Sequence, residues 1–193
     1  MNWKTVFNPF ERFNEKQLLL TGILAVILSI ATGYWTGTTF TSIYKISDAE
    51  NASFKIIAIT TVLSFVAAIA ILFIFGKILN NKTRIIDIVN TVLISQLVLI
   101  LFQCIGKMPY IRLAGKNLIK YESAPSGTFP FTDFLIMISM TCFSIITLVY
   151  SITLFYNGFK TATNIKKWQH IVLFCIVSLV STLACQIVIN KII

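Results

Sequence analysis

Residues 56–76 read IIAITTVLSFVAAIAILFIFG, twenty-one residues between Lys55 and Lys77 without one charge. A helix needs about 20 mostly apolar residues to cross a hydrocarbon core of roughly 30 Å, so this stretch is long enough to span. The gaps on either side repeat the pattern. Lys16 to Lys45 encloses 28 uncharged residues, Asp87 to Lys107 encloses 19, Asp133 to Lys160 encloses 26, and Lys167 to Lys191 encloses 23. Backbone groups in lipid must find their hydrogen bonds within the segment, and the alternation of a β-barrel is absent, so each gap is predicted to be a helix. The expected spans lie near 18–40, 56–76, 88–106, 134–156 and 171–190.

Composition leads to the same class. Of 193 residues, 56% are hydrophobic and only 12% charged, and the mean hydropathy is +0.84. Soluble domains average about 45–50% apolar and about 25% charged residues, and a soluble chain of this length could not hide so much apolar surface. A cytosolic enzyme, a disordered chain and a small disulfide scaffold are excluded. An all-α polytopic membrane protein of one domain, with short interfacial amphipathic helices, is expected over residues 1–193.

The first span differs from a signal peptide. Leu18 to Trp35 is longer than an ordinary h-region, and Glu11 and Glu15 stand where a basic n-region belongs. Five spans divide the lysines and arginines nine to seven in favour of the N-terminal side, which predicts a cytoplasmic N-terminus. The net charge of +9 is then explained by juxtamembrane lysines facing anionic headgroups. No soluble basic domain exists for nucleic acid. Cys104, Cys142, Cys175 and Cys185 all lie in apolar runs, none at zinc-ligand spacing, and read as small buried hydrophobes.

Outside the spans two segments are patterned. Trp3, Val6, Phe7, Phe10 and Phe13 recur at three- and four-residue steps. Asn8-Pro9-Phe10-Glu11 reads as a helix start, with Asn8 as N-cap, Pro9 in first position and Glu11 closing a capping box, which predicts a helix over 9–16. An aromatic helix there would lie in the headgroup layer as an anchor, or offer a docking face to a partner. In the Lys107–Asp133 loop, Arg112, Lys116 and Lys120 form a basic stripe at four-residue spacing. Tyr110, Ile111, Ala114, Leu118 and Tyr121 fall on the opposite side of a helix expected over 109–121. It would contact anionic lipid, or serve as a lid over a site between helices. A turn-rich run from Ser123 to Pro130 follows it. Lys160, Lys166, Lys167 and Trp168 read as an interfacial anchor.

The spans contain no Asp, Glu, Lys, Arg or His, so a proton-coupled transporter, a pump or a voltage sensor finds no machinery. His170 is the single histidine, and neither a phosphate loop nor a nucleophile elbow occurs. No metal, cofactor or catalytic residue is expected. Asn90, Gln96 and Gln103 punctuate the third span, and Gln186 sits in the fifth. Such amides bond across helices, or line a path for a neutral or lipid-like solute. Gly33/Gly37, Ser64/Ala68 and Ser178/Thr182 are small-xxx-small pairs that permit close helix contact, within the chain or between copies.

Phe7-Asn8-Pro9-Phe10, the run Arg84-Ile85-Ile86-Asp87-Ile88-Val89-Asn90-Thr91 and the connector Tyr156-Asn157-Gly158-Phe159-Lys160, set in a five-span layout, resemble the Yip1 family in its bacterial form. The Asp-Leu-Tyr-Gly-Pro motif of eukaryotic members is absent, and their Rab-GTPase and Golgi-trafficking roles are not carried over. The resemblance implies a five-helix membrane protein in a bacterial cytoplasmic membrane and supplies no catalytic residues. The function expected is a non-enzymatic scaffold or assembly/trafficking-type factor binding lipid or other membrane proteins. Its candidate interface comprises Trp3, Phe7, Asn8, Pro9, Phe10, Phe13, Arg112, Lys116 and Lys120. The alternative is a channel or transporter component using Asn90, Gln96 and Gln103.

Overall fold

The structure, a computed structural model, describes residues 3–49, 52–124, 128–165 and 168–189. Lys166, Lys167 and the side chain of Trp168, read above as an anchor, lie outside the described residues, as do 125–127 of the turn.

Among the described residues, five helices are long and apolar enough to cross a membrane. They are α2 (Glu15–Thr36), α3 (Phe54–Leu79), α4 (Ile85–Gly106), α6 (Phe131–Thr163) and α7 (Trp168–Ile189). Two short helices flank them, α1 (Trp3–Phe7) and α5 (Pro109–Ser123). Helix α4 is the axis of the bundle and packs on α2 and on α6. The α2–α4 approach is close because Gly22 faces Leu93: a Cβ at Gly22 would stand 2.7 Å from the Cβ of Leu93. Ser151 donates to the carbonyl of Ser95 at 2.8 Å, which fixes α6 against α4. Helix α6 has 33 residues against 22 in α4, so it outruns α4 by about 16 Å. With Ser95 level with Ser151, the excess lies at the start of α6. There α5 covers it: Ala114 is fully buried and Asn117 donates to Asp133 at 2.9 Å.

The first span departs from expectation. It was predicted to run to residue 40, but α2 ends at Thr36, where Gly37 takes the left-handed conformation with φ 64°. That conformation suits glycine and closes a helix by bonding back, here to the carbonyl of Gly33. The chain then forms an antiparallel hairpin, β1 (Thr38–Ser42) and β2 (Lys45–Asp48), pairing Thr38 with Asp48 and Phe40 with Ile46. All five residues of β1 are buried. Phe40 meets Phe65 at 5.5 Å between ring centroids. Ile43, at the tip, joins a cluster with Ala68, Leu72, Phe155 and Phe174. Ala68 lies about 21 Å along α3 from Phe54, so the hairpin re-enters the bundle. Non-helical backbone is tolerated at such depth where protein surrounds it, and α2, α3 and α7 all touch β1.

The Gly33/Gly37 pair is spent on this hairpin. Gly33 faces the Thr38 carbonyl and Ile57 and serves packing within the chain, and Gly37 closes α2.

Candidate functional site

The N-terminal segment is more broken than its periodicity predicted. No continuous helix covers 9–16. Helix α1 ends at Phe7, a 3-10 turn occupies Pro9–Glu11, and α2 begins at Glu15. Asn8 makes no side-chain cap bond, so the expected capping box at Asn8 and Glu11 is replaced by one at Asn14 and Gln17, whose Oε1 accepts from the Asn14 amide at 3.4 Å. Proline lacks an N–H and fixes its own φ, which favours a short turn over continuation of α1.

What seats this segment is α6. Tyr150 donates its hydroxyl to the Val6 carbonyl at 2.8 Å, and Asn157 donates Nδ2 to the Phe7 carbonyl at 2.8 Å. Those carbonyls close a helix of five residues and have no partner further along it. The Phe7 ring stands edge-on to Tyr150 at 5.6 Å, and the Phe10 ring lies on Gly158. Trp3, Phe7 and Phe13 stay exposed, at 78%, 41% and 48%. The segment is thus pinned by its backbone and by the Phe10 ring, while Trp3, Phe7 and Phe13 keep much of their surface exposed.

Beside it lies a charged cluster that the sequence reading passed over. Arg84 donates Nε and Nη2 to the Asp87 carboxylate at 3.1 and 3.0 Å, and Nη2 also reaches Glu15. Hydrogen bonds to Asp87, then to Glu15, raise the pKa of Arg84 above its ordinary value, and the guanidinium stays charged. Asn90, 2% exposed, donates Nδ2 to the Glu15 carbonyl at 3.3 Å. Its Oδ1 has no donor. These groups, with Phe10, Phe13 and Leu18, line a cavity of about 350 Å³. An apolar groove of about 670 Å³ adjoins it, roofed by Val6 and Pro9 and walled by Leu18, Ile94, Val98 and Leu154.

The remaining candidates lie apart. Arg112, Lys116 and Lys120 are exposed on α5, beyond the far end of α4 and about 33 Å along that helix from Arg84. Ile111, Ala114, Leu118 and Tyr121 are less exposed than the stripe, whereas Tyr110, expected to share their face, is 78% exposed. The three amides of α4 have three different environments. Gln103 accepts from Thr32 at 2.9 Å and donates to Thr38 at 3.3 Å, tying α2 to the hairpin. Gln96 is 2% exposed and neither end of its amide has a partner. Asn90 and Gln103 line separate cavities, the latter beside Asp48 and Lys107. Among the described residues no group of His, Cys, Asp and Glu is arranged to hold a metal ion.

Compared with known proteins, residues 3–189 match the family model of the Yip1 domain. No curated protein and no solved structure matches the chain.

Proposed function

The chain belongs to the Yip1 family of membrane proteins, and from that premise we propose that it is a non-catalytic scaffold binding lipid or another membrane protein through its N-terminal face. The observation that carries this reading is the seat of the N-terminal segment. Two backbone bonds and an aromatic contact hold it on α6, yet Trp3, Phe7 and Phe13 remain outside. An aromatic patch on a fixed backbone loses little entropy when it docks, which suits an interface. On this reading the N-terminal end is cytoplasmic, and the stripe of Arg112, Lys116 and Lys120 meets anionic headgroups of the other leaflet.

The test is purification of the tagged protein from its membrane in mild detergent, with bound lipids and proteins identified by mass spectrometry. A Trp3→Ala/Phe13→Ala variant should keep its helix content and lose what the wild type retains. An unchanged set of bound molecules would remove the N-terminal face from the function.

A second reading, a path for a neutral solute, has one observation in its favour: the unpartnered amide of Gln96 within the bundle. It predicts that Gln96→Leu abolishes flux in reconstituted vesicles. Unaltered flux leaves the scaffold reading alone.

A further inference from the structure

We propose that the charged cavity and the adjoining groove form one site for a phospholipid whose headgroup ends in a primary ammonium, as in phosphatidylethanolamine. This rests on the lipid-binding reading above and names the lipid.

The two spaces are continuous in their walls, for Phe13 and Leu18 line both. The polar part carries more anionic than cationic groups. Two carboxylates, Glu15 and Asp87, face one guanidinium, Arg84, leaving an excess of one negative charge. The Oδ1 of Asn90 is buried and unpartnered, and the bond from Nδ2 to the Glu15 carbonyl fixes which end of the amide is left over. A buried acceptor without a donor is costly, and an incoming N–H removes the cost. An ammonium brings three N–H donors and a positive charge. Phe10 and Phe13 wall the same cavity, and aromatic faces attract cations. The phosphate of such a headgroup, one short linker away, also has a partner. The bonds from Arg84 to Asp87 and Glu15 use Nε and Nη2, so Nη1 is left for a phosphate oxygen.

Other headgroups fit less well. A glycerol headgroup adds no cation and meets two carboxylates. A trimethylammonium carries the charge but no N–H for Asn90. The groove supplies what the tail needs: Ile94, Val98 and Leu101 line it on α4, over about 10 Å of helix axis. The N-terminal segment, through Val6 and Pro9, forms its roof.

Native mass spectrometry of the full chain in detergent, titrated with phosphatidylethanolamine, phosphatidylcholine and phosphatidylglycerol of identical acyl chains, tests this. The ethanolamine lipid should be retained about tenfold better than either of the others, the ratio that one net hydrogen bond to a charged group supplies. Glu15→Gln with Asp87→Asn turns the excess charge positive and should remove that preference and favour the glycerol lipid. Leu97→Trp, in the groove but 39% exposed, should weaken all three lipids and leave their ratio. Equal retention of the three lipids by the wild type overturns the proposal, as does an ethanolamine preference that survives the double charge variant in a folded protein. If the wild type shows no headgroup preference while bound molecules still depend on Trp3 and Phe13, this inference fails and the scaffold reading stands. Loss of both removes both.

Discussion

The ring of Phe10 fills the space that any side chain on Gly158 would need. A Cβ at Gly158 would stand 2.8 Å from ring carbons Cε2 and Cζ and 2.7 Å from the hydroxyl of Thr91. The seat of the N-terminal segment therefore depends on the absence of a side chain nearly 150 residues downstream. It also depends on Thr91, whose hydroxyl is held by the Asp87 carbonyl at 2.7 Å.

Gly158→Ala should accordingly lift Phe10 off α6. Overpacking of this kind costs about 1–3 kcal/mol, against about 1 kcal/mol gained in helix propensity. The expected result is a lower melting temperature in detergent and faster proteolysis before Glu15. Adding Phe10→Ala should restore part of the melting temperature. A single variant that melts and resists protease like the wild type would show that the ring does not hold the segment.

The two glutamines of α4 should respond in opposite ways to leucine. Gln103→Leu removes two bonds between elements, each worth about 0.6 and at most about 1.7 kcal/mol in membrane helices. Gln96→Leu removes a buried amide that has no partner, and relief of its desolvation should leave stability equal or raise it by about 1–3 kcal/mol. Thermal unfolding of both variants in one detergent measures the contrast. Destabilisation by Gln96→Leu as large as by Gln103→Leu would mean that Gln96 holds something in the folded protein.

Gly33→Ala should displace the hairpin. The added Cβ would lie 2.7 Å from the Thr38 carbonyl oxygen, a backbone atom that cannot swing aside as a side chain can. Gly37→Ala should cost about 1–2 kcal/mol through its left-handed backbone, φ 64°. A Cys introduced at Ser47 would report the difference by its labelling rate, which should rise in Gly33→Ala. Equal labelling in the wild type and both variants would contradict it.

The ion pair of Lys107 with Asp48, 2.9 Å apart, should matter little. Asp48 is 79% exposed there although Lys107 is only 16% exposed, and a pair open to water on its carboxylate side contributes about 0–1 kcal/mol. Asp48→Asn should shift the melting temperature slightly at low salt and not at all at high salt. A large shift independent of salt would contradict this.

The five long helices are legible in the sequence because a charge in lipid is expensive, so the gaps between charges mark them. The hairpin is hidden by the same rule. Thr38, Thr39, Thr41 and Ser42 carry no charge, so they extend the gap that begins at Lys16 without being part of its helix. Gly37 before a run of β-branched residues is the local signal for a stop and a strand, but its weight depends on burial that only the bundle supplies. The N-terminal aromatics were legible as a surface. Their spacing misled as to shape, because a period of 3.6 carries no information about the break that Pro9 helps to impose.

The charged cavity was hardest to read. Glu15, Arg84 and Asp87 stand on two helices separated by most of the chain's first half, and each alone looks like an ordinary residue at a helix end. Asn90 was legible as polar in an apolar run, but which end of its amide is left without a partner depends on the Glu15 carbonyl. The partners that Tyr150 and Asn157 find in Val6 and Phe7 follow from tertiary contact alone.

The hairpin also constrains how the protein is made. Strand β1 touches α7, and Ile43 at its tip shares a cluster with Phe155 and Phe174. The ribosome supplies those residues more than a hundred positions later. A chain inserted helix by helix would hold a half-sheltered hairpin, with polar backbone edges, until α6 and α7 arrive. Completion of this bundle is therefore a late event in synthesis, and the nascent chain needs water, a neighbouring protein or the insertion machinery to keep Thr38–Asp48 satisfied in the meantime.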